Sequence, residues 1–217
     1  NYVPTAAVAG TVFNWTSSVT VGTVTGNTAV GGLGTIADVL VNTTNVIGTV
    51  RYVITPVANG CSGTPFNVDV TVDPQPTLST VVTPLSQVLC SNTAMVIDVN
   101  SATVPSAGSV VYDYVAVASD VSVTGFTASA INQSLATNIS NLNVLNSSLI
   151  RQTITYTITP KVLGGLACAG PSVVVVISID PVPVVSSAAT KSICSGVSVN
   201  YVPTAAVAGT VFNWTSS

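Results

Sequence analysis

At 217 residues the chain has room for one large domain or for two of about a hundred residues each. Charged residues are only 5% of it, against a usual share of about 25%, and four cations face seven aspartates with no histidine and no glutamate, for a net charge of −3. A chain with no basic field argues against nucleic acid and anionic membranes as partners, and one with no imidazole cannot build a Ser-His-Asp or Cys-His nucleophile.

Hydrophobic residues reach 47%, yet the longest aliphatic run is Val173 to Ile177, far short of the roughly 20 residues of a spanning helix. A lipid-facing barrel needs aromatic girdles; aromatics here are 6% and cluster in particular strands. No membrane insertion is expected.

In chain order, Phe13 and Trp15 lie two apart and read as one face of a central strand, with Trp15 the core aromatic. Gly22, Gly26, Gly31, Gly32 and Gly34 punctuate the next stretch with turns. Tyr52 falls in a penultimate strand, placed to pack inward and tie its hydroxyl to a nearby loop. Phe66 to Val72 closes this set, and Asp73-Pro-Gln-Pro76 reads as a short, stiff linker, because proline removes a ladder donor and biases its predecessor toward extended geometry. Tyr114 is the counterpart of Trp15. The stretch 132–148 is a polar segment between strands and reads as an exposed connection with strand edges, with a binding loop as the alternative. Thr153 to Ile158 alternates with period two, as a half-buried strand does, and carries Tyr156, the counterpart of Tyr52. Val173 to Ile179 is the last strand; its run Val173 to Ile177 is apolar on both faces, so one face should be covered by another strand or module.

Two repeats organise these elements. Asn1 to Ser18 recurs without a change as Asn200 to Ser217, a period of 199 residues, so the chain reads as one window of a tandem array. Within it, Tyr52-Val-Ile-Thr-Pro56 matches Tyr156-Thr-Ile-Thr-Pro160, Asp73-Pro-Gln-Pro76 matches Asp180-Pro-Val-Pro183, and Cys90-Ser-Asn92 matches Cys194-Ser-Gly196. Residues 1–76 then form a module lacking its opening strands, 77–183 a complete one, and 184–217 the opening strands of a third, with Trp214 in the core role of Trp15. Short strands every 8 to 12 residues, rich in Val and Thr and with no helical period, predict an all-β fold of immunoglobulin-like sandwiches.

Cys194-Ser-Gly, Phe-Asn-Trp, Tyr-x-Ile-Thr-Pro, Asn-Gly-Cys61 and a closing Val-x-Val-Asp-Pro-x-Pro together resemble the PKD-like repeats of giant surface adhesins from gliding and related bacteria that export proteins by the type IX route. Cys90 is followed by Ser-Asn, and Tyr114 replaces Trp, so the second module departs from the pattern in part. The resemblance implies a secreted, surface-anchored protein of many repeats, used in adhesion or as an extracellular filament.

Chemistry is sparse. The aspartates are scattered and the closest cysteines, Cys168 and Cys194, are 26 residues apart, which suits neither calcium nor zinc; Asp73 and Asp180 read as turn-capping linker residues. No cofactor, metal or catalytic residue is expected, and no enzyme. By repeat position Cys90 belongs with Cys168 in a disulfide, with Cys61 and Cys194 pairing with neighbouring repeats. Bridges between modules, or free cysteines, remain alternatives. Sequons at Asn14, Asn42, Asn132, Asn138, Asn146 and Asn213 read as coincidences of composition. The expected role is a repeat unit of an extracellular adhesin or surface filament, a semi-rigid rod whose partners are neighbouring repeats and cell-surface or environmental polysaccharide. A pilin-like subunit polymerising by strand exchange and a carbohydrate-binding module are the rivals.

Overall fold

The computed structural model describes residues 1–83 and 87–216. All regular elements among them are strands: β1 (Val12–Val21), β2 (Val24–Thr25), β3 (Val30–Leu33), β4 (Val41–Asn42), β5 (Gly48–Ala58), β6 (Cys61–Ser62) and β7 (Phe66–Val72) in a first group. A second holds β8 (Ser79–Thr83), β9 (Val88–Cys90), β10 (Thr93–Asn100), β11 (Ser109–Ala118), β12 (Val123–Thr124), β13 (Ser129–Ser134), β14 (Ile139–Asn146), β15 (Gln152–Leu163) and β16 (Val173–Asp180).

The second group is a sandwich of two sheets, β12-β14-β10-β8 and β13-β11-β15-β16-β9. Alternation closes it. Met95, Ile97 and Val99 of β10 and Ile154, Tyr156 and Ile158 of β15 point inward and are at most 1% exposed, each worth about 1.5–3 kcal/mol of burial. One pairing is parallel: β9 lies along the end of β16, with Ile179 beside Leu89 and Asp180 beside Cys90.

The first group repeats half of this plan. Its sheet runs β3-β1-β5, with β6 and β7 both on the far edge of β5. The facing layer is reduced to the β2–β4 pair and a single bridge between Tyr2 and Ile36. Phe13, Trp15, Val24, Ile36, Val50, Tyr52 and Ile54 form the core, with the Trp15 and Tyr52 rings edge-on at 5.7 Å.

Three expectations are corrected. No further strand or module among the described residues covers the second face of the β16 run: Val175 and Ile177 are buried in the core, but Val174 and Val176 face outward, because the added strand β9 pairs with the edge of β16 and not its face. The polar stretch 132–148 is no exposed connection. It carries β14, whose Ile139, Asn141, Val144 and Asn146 are all buried; the inward asparagines hid the strand by breaking its apolar alternation. Residues 184–216 form no strand, only a bridge between Val185 and Ala205. Trp214 is 83% exposed against 7% for the identical Trp15, which pairs with Ile54 of β5 and packs its ring on Tyr52; among the described residues no strand lies beside Trp214.

Candidate functional site: the joint between modules

The linker 73–76 is a packed joint. Pro74 and Pro76 are buried. Asp73 Oδ1 accepts the Ser106 N–H at 2.9 Å, Gln75 Nε2 donates to the Ala169 carbonyl at 3.2 Å, and the Val104 N–H reaches across to the Asn45 carbonyl at 2.8 Å. Next along, the Thr77 N–H donates to Thr103 Oγ1 and Ser101 Oγ donates to the Thr77 carbonyl. Gly170 lets the backbones meet: a Cβ there would stand 1.7 Å from the Pro76 carbonyl oxygen. Proline stiffness, buried ring surface and bonds from three loops together fix the angle between two bodies.

At the second linker Asp180 is held by its own module, with Arg151 Nε and Nη2 at 2.6 and 2.8 Å. Those guanidinium hydrogen bonds hold the carboxyl of Asp180 below its ordinary range. A cleft here is lined by Ile150, Arg151, Asp180 and Pro181 on one side and by Val207 and Gly209 on the other. Val207-Ala208-Gly209 corresponds to Ser106-Ala107-Gly108, the loop that closes the first joint.

Each module carries the same internal tie behind its joint. Asn42 Nδ2 donates to the carbonyls of Val46 and Val72, and its Oδ1 accepts from the Thr44 N–H and hydroxyl. Asn146 repeats this with Ile150, Ile179 and Ser148. The amide thereby fastens the last strand, just before its Asp-Pro, to the loop that faces the next module. Sequence reasoning passed over both asparagines as chance sequons. The available signal was their recurrence at one repeat offset, each two residues before a Thr or Ser and four before a Val or Ile.

The tyrosines are tied differently in the two modules. The Tyr52 hydroxyl donates to Asp38 Oδ2 at 2.7 Å, and Thr28 donates to the same carboxylate through its N–H and hydroxyl. In the second module Asn141 takes the place of Asp38, donating to Tyr156 Oη at 2.9 Å and accepting the Thr127 N–H. Burial pushes the Asp38 carboxyl up, but the three donors outweigh it and hold it below its usual value. A folded value below the unfolded one means that this contribution is present above about pH 4 and lost as pH falls through the folded value. Asp38→Asn is therefore expected to flatten the fall in first-module stability between about pH 5 and pH 2. Urea unfolding monitored by the Trp15 indole resonance measures it, and an unchanged slope would refute the assignment.

Two separate stretches of this β-sandwich chain, residues 1–76 and 87–183, match the PKD-like domain. The chain belongs to the PKD-like family. No curated protein matches it.

The PKD-like modules also place the remaining predicted residues. Tyr114 is buried between Tyr112 and Tyr156, with ring centroids 6.4 and 6.0 Å away. The disulfide between Cys90 and Cys168 is not formed, and Cys61, Cys90, Cys168 and Cys194 are all free. Cys90 lies beside Asp180, at the end of β16, whereas the Cys168 carbonyl binds Val162, near the start of β16. The eight residues of β16 separate the two ends by about 23 Å at ~3.3 Å per residue, and a disulfide needs Cα atoms within about 7 Å. Cys61 comes after the Asn59-Gly60 turn, exposed, at the end of the first module away from the joint. Among the described residues no three His, Cys, Asp or Glu side chains converge to hold a metal ion.

Proposed function

We propose that this chain is a stretch of the shaft of an extracellular, cell-surface adhesin or filament. In this reading PKD-like modules are strung as a semi-rigid rod that holds a gripping end away from the cell. The observation that carries the reading is the joint at 73–76, where buried prolines and hydrogen bonds from three loops hold one module on the next. A flexible tether would leave its linker wet. Support also comes from the family, whose members are typical of extracellular proteins, and from the 199-residue recurrence of Asn1 to Ser18. The shaft works by reach and stiffness and needs no catalysis, cofactor or metal.

Antibodies raised against this chain test the proposal on intact source cells by immunogold microscopy. The expected result is label on projections outside the cell, at intervals set by the repeat. Label confined to the cell interior, or label on a single compact particle, would overturn it.

A further inference from the structure

The two linkers share one proline frame but not the side chains around it. At the first, Asp73 Oδ1 accepts the Ser106 N–H and Gln75 Nε2 donates to the Ala169 carbonyl, so both linker side chains reach into the following module. Asp73 is at liberty to do so. Among the described residues no cation pairs with it, and the residue five places after the Asn42 amide is Ile47, which has no charge to offer. The backbone bond from the Val104 N–H to the Asn45 carbonyl adds a third tie, one that needs no particular side chain.

At the second linker neither side chain is placed to reach across. Val182 stands at the position of Gln75, and an isopropyl group has no donor for a neighbouring carbonyl. Asp180 stands at the position of Asp73, but five places after Asn146 comes Arg151, where the first module has Ile47. Its guanidinium takes both carboxylate oxygens, one through Nε and the other through Nη2. A planar fork of this kind fixes the orientation of its carboxylate as well as the position, so Asp180 is turned back on its own module. These are differences of residue type at matched positions, and they owe nothing to the length of chain beyond the linker.

We infer that the joints alternate: the kind at 73–76 is locked by its own linker side chains, and the kind at 180–183 is a hinge. Modules joined by little contact move relative to one another by default. Two prolines keep such a linker extended but leave its angle to the next module open, and only the first linker adds the side-chain ties that close it. Arg151 makes much of the difference, because it exchanges a tie across the joint for one within the module. In an array with the 199-residue period, each period is then one stiff pair of modules, and the shaft bends at every second joint. The alternation along a shaft rests on the reading under Proposed function, whereas the stiffness of a joint is a property of the purified chain, so cell labelling and the linker exchange below fail separately.

Giving the first joint the residues of the second tests this on the chain itself. Ile47 is 38% exposed and Gln75 is exposed, so Ile47→Arg and Gln75→Val are expected to leave the circular dichroism of both modules unchanged. In the parent, residual dipolar couplings from the two modules are expected to fit one alignment tensor. In the double variant they are expected to need two, as the introduced guanidinium draws Asp73 away from Ser106 and the bond to Ala169 is lost. Gln75→Val alone is expected to give part of that loss. On shafts released from source cells, electron micrographs are expected to show bends spaced by one whole period. A double variant that still fits one tensor as the parent does, or bends equally frequent at every joint, would overturn the inference.

Discussion

Asn146→Ala is expected to lower the stability of the second module by about 2 kcal/mol, from the loss of the side-chain donor to the Ile179 carbonyl at ~1–3 kcal/mol. The side chain is 5% exposed and donates to the Ile150 and Ile179 carbonyls while accepting two bonds from Ser148. The Ile150 carbonyl keeps the Ser148 hydroxyl as a donor at 2.8 Å; the Ile179 carbonyl loses its side-chain donor outright. Asn146→Asp sharpens the test. At neutral pH a carboxylate oxygen would face both carbonyls, so this near-isosteric change is expected to cost more than alanine, and to recover in part on acidification as the acid gains a proton to donate. Guanidinium unfolding midpoints read both. Stability within 1 kcal/mol of the parent for Asn146→Ala would reduce the amide to decoration. Because the tie ends one residue before Asp180, its loss is also expected to loosen the second linker.

Gly170→Val is expected to spring the first joint while leaving both cores folded. The added Cβ would meet the Pro76 carbonyl oxygen at 1.7 Å and the Pro160 ring at 2.9 Å, and neither is the end of a flexible side chain. The linker must move, and the bond from Gln75 to Ala169 goes with it. Gly32→Ala is the control, since nothing lies within 4 Å of a Cβ there. In NMR relaxation the tumbling time of the variant is expected to fall toward that of separate modules of about a hundred residues. Small-angle scattering is expected to broaden toward a range of inter-module angles. Identical scattering for Gly170→Val and the parent would show that the joint does not set the angle, and would remove the main support for a stiff shaft.

Much of the fold was legible because a strand's face writes itself into alternate residues. Phe13 and Trp15, or Ile154, Tyr156 and Ile158, read directly as inward positions. Where polar side chains take inward positions the writing fails. Asn141 and Asn146 point into the sandwich, bonded to a tyrosine and to backbone, and so β14 was lost among polar residues. The cysteines failed for another reason. Repeat position says which residues are equivalent, not which end of a sandwich each occupies, and β16 lies between Cys90 and Cys168. The joint was half legible: Asp-Pro-x-Pro announces a stiff connection, but nothing local tells that Ser106, Ala169 and Gly170, brought in from other loops, will bury it.

The duplicated segment separates the two kinds of information within one molecule. In both copies Ala-Val-Ala-Gly-Thr makes the same turn, with Gly10 and Gly209 at φ of 74° and 76° and the hydroxyls of Thr11 and Thr210 returned to the carbonyls of Val8 and Val207. Those bonds span three residues and need no other part of the chain, so sequence alone determined them. The Val-Phe-Asn-Trp next in line is a strand in the first copy and not in the second. A strand's donors and acceptors point sideways to a neighbour, and only the first copy has β5 beside it, with Tyr52 waiting for the indole.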